Sequence, residues 1–182
     1  MRGVSPATVN HGICYCHDCR AFAHWLGHDD RLVEAGGTPI VQIARARLHL
    51  EHGLDQVRLM RLTPRGLHRF HTACCRSPVG NTMPSLPFLG VVRSMLDVPE
   101  REQSATFGPW MALARGSALG PPPRAERGDL VGLAHVTRMM AGWALRGLGR
   151  PTQLLDARGE PTVPSQILTP LEREALRARP DA

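Results

Sequence analysis

Residues 14 to 20 read Cys14-Tyr15-Cys16-His17-Asp18-Cys19-Arg20, a C-x-C-x-x-C run that concentrates three soft ligands within six residues. Thiolate sulfurs bind zinc at about 2.3 Å in a tetrahedral shell, so three of them from one turn leave one position to be supplied. That position decides the function. Cys75, Cys74 or a histidine such as His71 would close the site and make it structural, whereas water or a substrate thiol would leave it open and suited to catalysis. Three reduced thiols that bind nothing are the plain alternative. Arg20 follows at once, and a guanidinium there can offset the net charge of about −1 on a zinc held by three thiolates, or hold an anionic substrate group. The alternative for Arg20 is a solvated surface side chain. His17 and His24 are expected to be packed or solvent-facing, His17 because it adjoins Cys16 and is badly placed to reach the same metal.

Working outward, Ala21-Phe22-Ala23-His24-Trp25-Leu26 followed by Gly27 predicts a short helix stopped by glycine. Four β-like runs come next: Ile40 to Ala44, Arg47 to His52, Val57 to Leu62 and Leu67 to Thr72. Thr63-Pro64-Arg65-Gly66 is a tight-turn signal between the last two. Together they predict a β-meander that carries the Cys74/Cys75 pair back toward the first cluster. Adjacent cysteines point different ways in a strand, so at most one of them faces a given metal; a vicinal disulfide would need a strained ring. Residues 77–90 are rich in Pro, Gly and Asn, and 115–128 contain Pro121-Pro122-Pro123 among small and charged residues, which reads as a linker.

Beyond the linker, Asp129 is placed to cap a helix on which Leu133, Val136, Met140, Trp143 and Leu148 recur at helical spacing. Met139, Met140 and Trp143 read as a face packed on the sheet. A last short helix opens with the capping box Thr169-Pro170-Leu171-Glu172, proline at its first position. The expected organisation is a zinc-binding β domain over 1–114, a linker over 115–128 and a helical C-terminal extension over 129–182.

Composition narrows the function classes. The chain has 182 residues, 22 basic against 16 acidic, for a formal charge of +6. Every basic residue is Arg, which looks as much like a genomic bias as selection for a partner, so nucleic acid is not favoured. Five cysteines in two clusters are not the dispersed, even set of a disulfide scaffold, and metal or thiol chemistry in the cytoplasm is the better reading. The start MRGVSPATVNHG holds no apolar run of signal-peptide length. The one long apolar stretch, Leu130 to Leu148, is interrupted by His135, Arg138 and Arg146, so no membrane span is expected.

The segment 14–20 resembles the C-x-C-x-x-C-R motif of the glutathione-dependent formaldehyde-activating family, also called the GFA or CENP-V type, and within it an uncharacterised bacterial subgroup. Arg69-Phe70-His71-Thr72-Ala73-Cys74-Cys75-Arg76-Ser77-Pro78 resembles its later R-x-F-C-x-x-C-G-[ST] segment, in degraded form. The resemblance spans roughly residues 3 to 95 and extends to the subgroup through Gly80-Asn81-Thr82. It implies a mainly β fold, a Mss4-like β-tent of small antiparallel sheets around zinc, here with C-terminal helices. It also implies zinc at Cys14, Cys16 and Cys19, with Arg20 near the substrate. The activity implied is that of a carbon-sulfur lyase acting on thiol adducts of small aldehydes, of the S-hydroxymethylglutathione type, with glutathione or another small thiol as partner.

Two departures matter. The family's second, structural zinc uses an upstream C-x-C, which is absent ahead of Cys14, and Thr72 stands where the first cysteine of the later motif belongs, leaving Cys75 at the second and Cys74 as a substitute. Either that site was lost or the chain begins too late and lacks its first strand; the second is the expectation. The competing class is a non-catalytic zinc module whose metal staples a small sheet, with a binding role. A minor third is a thiol redox protein using Cys74 and Cys75.

Overall fold

The computed structural model describes residues 4–149 and 151–179. Its strands are β1 (Asn10–Cys14), β2 (Thr38–Ala44), β3 (Val57–Arg61), β4 (His68–Thr72), β5 (Pro78–Thr82), β6 (Phe88–Val92), β7 (Met111–Leu113) and β8 (Ser165–Ile167). Four helices accompany them: α1 (His17–Leu26), α2 (Glu100–Phe107), α3 (Asp129–Leu145) and α4 (Pro170–Arg177).

All eight strands join one mixed sheet in the order β7-β1-β2-β6-β5-β4-β3-β8. Neighbours are antiparallel except at the two edges, where β7 runs parallel to β1 and β8 parallel to β3. The expectation of a mainly β protein with helices is met; the small separate antiparallel sheets are replaced by one sheet whose edge strands come from distant segments.

Alternation along the strands covers both faces. On one face Val41, Ile43, Val57, Leu59, Leu89 and Val91 form the main core with Phe107 of α2 and with Leu154 and Leu155. On the other, Met60 packs with Phe22 and Leu26 of α1, Ile40 with Cys14 and Cys19, and Ala44 and Phe88 with Met139 and Trp143 of α3. The Met139/Trp143 face therefore packs on the sheet as expected. Leu133, read as part of that face, points out at 61% exposure, as do Leu130 and Leu145.

Two local readings are corrected, and one stretch the sequence left without an element is placed. Arg47 to His52 is not a strand: a 3-10 turn occupies Arg45–Arg47, and the backbone of Leu50 is satisfied by the side chain of Gln153, which accepts from its N–H at 2.7 Å and donates to its carbonyl at 3.0 Å. Residues 77–90, rich in Pro, Gly and Asn, supply β5 and the start of β6. The glycines there permit close strand approach, since a Cβ on Gly90 would lie 2.5 Å from Asn81 Oδ1. Gly128, not Asp129, is the N-cap of α3, and Asp129 is its first residue.

The C-terminal part is more than helices. Leu154 and Leu155 are in the main core, β8 extends the sheet, and Leu168 joins the cluster beneath α1. The capping box at Thr169 and Glu172 forms in both directions. Among the described residues no helix is long and apolar enough to cross a membrane.

Candidate metal centre

β1 ends at Cys14, Tyr15 donates its N–H to Leu113 O of β7 at 2.9 Å, and the chain turns directly into α1. Cys16 is the N-cap of that helix, its sulfur accepting from the Cys19 N–H at 3.4 Å. Cys19 sits in the first turn. The strand end, the cap and the first turn thus deliver three thiols to one point, where a helix N-terminus also favours negative charge. Gly27 closes α1 with φ 76°, as the sequence predicted.

The three sulfurs lie within 4.8 Å of one another, and Cys14 Sγ and Cys16 Sγ are 3.4 Å apart. Zinc–sulfur bonds of 2.3 Å in a tetrahedron separate the sulfurs by about 3.8 Å, so the group can hold a metal ion with little adjustment. Among the described residues this is the one group of three or more His, Cys, Asp or Glu with that convergence. Cys14 and Cys19 are nearly buried and Cys16 is partly exposed. Hydrogen bonds from the Cys14 and Cys16 thiols, with Arg69 beside it, hold the Cys19 thiol well below its ordinary pKa despite burial. Sharing with its neighbours pushes Cys14 up.

The sequence offered Arg20 as a charge-balancing cation, as the holder of an anionic substrate group or as a solvated surface side chain; the structure buries it and gives its guanidinium other partners. Arg20 is buried, and its Nη1 donates to Tyr15 O at 2.7 Å and Ser117 O at 2.9 Å while Nη2 donates to His17 Nδ1 at 2.9 Å. Its guanidinium clasps the loop entering α1 to the segment after β7. Gly36, at φ 69°, lies against it, where a Cβ would come within 2.6 Å of Arg20 Cδ.

The cation at the thiols is Arg69 of β4. It is 1% exposed, its Nη1 lies 3.9 Å from Cys19 Sγ, and its guanidinium carbon is 5.3 Å from the Phe22 ring centroid. Charge balance called for such a residue, but no local spacing connects residue 69 with residue 19.

Cys74 and Cys75 are both exposed in the turn between β4 and β5 and lie outside the three-thiol group. The strand ends one residue before Ala73, and the turn directs these side chains to solvent. Cys75 Sγ contacts Thr72 Oγ1 at 3.1 Å, Ser77 Oγ at 3.3 Å and Cys74 Sγ at 3.5 Å. The Ser77 and Thr72 hydroxyls, with the Ser77 N–H, lower the Cys75 thiol to about 6. His71 also stays apart, edge-on to Trp25 with centroids 4.7 Å apart. His24 is paired to Asp29 at 2.5 Å and His17 to Arg20, and neither belongs to the three-thiol group.

Cys19 borders a cavity of about 20 Å³ formed with Phe22, Leu26, Thr38 and Val92, room for a single water. Of the three cysteines Cys16 is the most exposed.

A family profile described as "Family of unknown function (DUF6151)" matches residues 2–164. No curated protein and no solved structure matches the chain.

Proposed function

The chain belongs to the family of unknown function DUF6151, and we propose that within it this protein is a zinc protein whose three thiolates leave one coordination position for a substrate thiol. The observation that carries this reading is the convergence of Cys14, Cys16 and Cys19 with no fourth His, Cys, Asp or Glu in the group among the described residues, a donor set suited to zinc. Cys14 and Cys19 anchor from the buried side, and Cys16 faces the accessible side. Arg69 offsets the surplus negative charge of a three-thiolate site from within the core. With zinc bound, the open position would lower the pKa of a small thiol and orient it toward the carbonyl carbon of a small aldehyde.

On this reading, and on the resemblance of residues 14–20 to the glutathione-dependent formaldehyde-activating type, the reaction is formation and cleavage of a carbon-sulfur bond between a thiol such as glutathione and formaldehyde. The test follows the condensation by NMR with the zinc-loaded protein. Faster approach to the S-hydroxymethyl adduct than with the Cys16→Ser variant supports it; equal rates refute it.

A second reading has its own support. Arg20 is consumed by backbone contacts, and the cavity beside Cys19 admits only water, which suits a structural zinc that staples β1 to α1. It predicts stoichiometric metal and a site indifferent to added thiols.

A further inference from the structure

A second chemical site lies on the opposite face of the sheet. Between β5, β6 and the segments around Leu48 and Leu96 there is a cavity of about 560 Å³ lined chiefly by apolar side chains, Leu50, Val79, Val91, Val98 and Phe107 among them. That volume is within the range of small-molecule sites and far larger than the void beside Cys19. Thr72 and Ser77 also line it, and these are the two residues whose hydroxyls hold Cys75 Sγ at 3.1 and 3.3 Å. The cavity and the thiol therefore share one wall.

The hairpin keeps that wall in place. Thr72 N–H donates to Ser77 O at 3.0 Å, Ser77 N–H to Thr72 Oγ1 at 3.1 Å, and Arg76 N–H to Thr72 O at 3.0 Å. Arg76 adopts φ 53° to close the turn, and its guanidinium is drawn away over the Trp25 ring, 5.2 Å from the centroid. An exposed thiol is thereby fixed beside an apolar chamber, with two hydroxyls against it. Apolar walls with a few convergent polar groups at one end are the anatomy of a ligand site. The nucleophile at that end selects a ligand with an electrophilic carbon.

We propose that this cavity binds a small apolar α,β-unsaturated carbonyl compound and that Cys75 is the nucleophile at its mouth. The Cys75 sulfur forms a bond to the β-carbon, the carbon-carbon π pair moves to give the enolate, and water delivers a proton to the α-carbon. Nothing leaves and no oxidant is consumed. The hydroxyls of Thr72 and Ser77 stabilise the sulfur anion before attack. This site uses neither zinc nor the three clustered thiols, so it stands or falls independently of the metal centre.

The test uses the full chain and N-alkyl maleimides from methyl to hexyl, which react by the same addition, with free cysteine as the reference and peptide mapping to locate the label. Each methylene that enters the cavity is expected to speed Cys75 labelling by about fourfold relative to free cysteine. Val79→Trp, or Leu96→Trp should the first not fold by circular dichroism, fills the chamber and should bring the hexyl-to-methyl ratio down to that of free cysteine. A ratio in the unaltered protein equal to that of free cysteine, a chain-length gain that survives the folded tryptophan variant, or labelling chiefly at Cys74 would each overturn the proposal.

Discussion

Arg69 Nη1 lies 3.9 Å from Cys19 Sγ, with both side chains buried and fifty positions apart in the chain. β4 thus reaches across to α1 to place a fixed positive charge on the innermost of three converging thiols. A three-thiolate zinc carries surplus negative charge, and in a low-dielectric interior that charge needs a partner.

Removing the charge while keeping the volume tests this pairing. Arg69→Met should lower unfolding stability by about 3 kcal/mol, the usual cost of leaving a buried charge unpartnered, and should reduce retained metal. Arg69→Lys should recover part of the metal content, since the charge returns without the planar fork. Denaturant titration and metal analysis check both; full metal retention in Arg69→Met would show that the charge is dispensable.

The ligand assignment predicts a sharp division among the five cysteines. Cys14→Ser, Cys16→Ser and Cys19→Ser should each lose bound zinc, because a hydroxyl replaces a thiolate the site requires. The Cys74→Ala/Cys75→Ala double variant should keep the metal content of the unaltered protein, since both side chains face solvent away from the group. Metal per chain after dialysis is the measurement.

Alkylation of Cys75 should switch on at low pH. Its thiol is lowered to about 6 by the Ser77 and Thr72 hydroxyls and the Ser77 N–H, so its rate with iodoacetamide should rise through about pH 6 and level off above. Thr72→Val and Ser77→Ala each remove a donor to the anion and should move the midpoint up toward the ordinary value of 9.0. A midpoint that stays put in both variants would remove the hydroxyls from the explanation.

Acid should weaken the fold through buried histidines. Burial, with nearby arginines adding to it, holds His68 and His71 below the ordinary 6.5. As pH falls through 6.5 the unfolded chain takes up protons that the folded one still refuses. Their share of stability is therefore full above that pH and declines below it. The His68→Phe/His71→Phe variant should show a flatter fall in stability between about pH 7 and pH 5 than the unaltered protein, measured by urea unfolding.

What the sequence made legible were elements whose cause is local. Gly27 ends α1 because only a left-handed residue closes the helix there, and Thr169 with Glu172 starts α4 because the box satisfies free N–H groups reciprocally. β2, β3 and β4 showed as short β-like runs bounded by turn residues. The convergence of Cys14, Cys16 and Cys19 followed from their spacing.

What stayed hidden depends on distant partners. Gln153 satisfies Leu50 and so converts an expected strand into an irregular segment. Gly90 and Asn81 read as loop composition but mark where two strands pass closely. β8 has little pattern of its own and is a strand because β3 offers an edge. Arg69 was visible as a residue, yet its role at Cys19 exists only once β4 lies beside α1, and Arg20 was credited with that role because adjacency is all a sequence displays.

The central claim is that the three-thiol site has one position open to a thiol, and cobalt(II) substitution tests it most directly. Cobalt held by Cys14, Cys16 and Cys19 should show sulfur-to-metal charge transfer and tetrahedral visible bands. Adding glutathione should raise the charge-transfer intensity and shift the visible bands as a fourth sulfur binds. A cobalt spectrum that glutathione and smaller thiols leave unchanged would contradict an open site, and a chain that takes up no cobalt would contradict the metal centre itself.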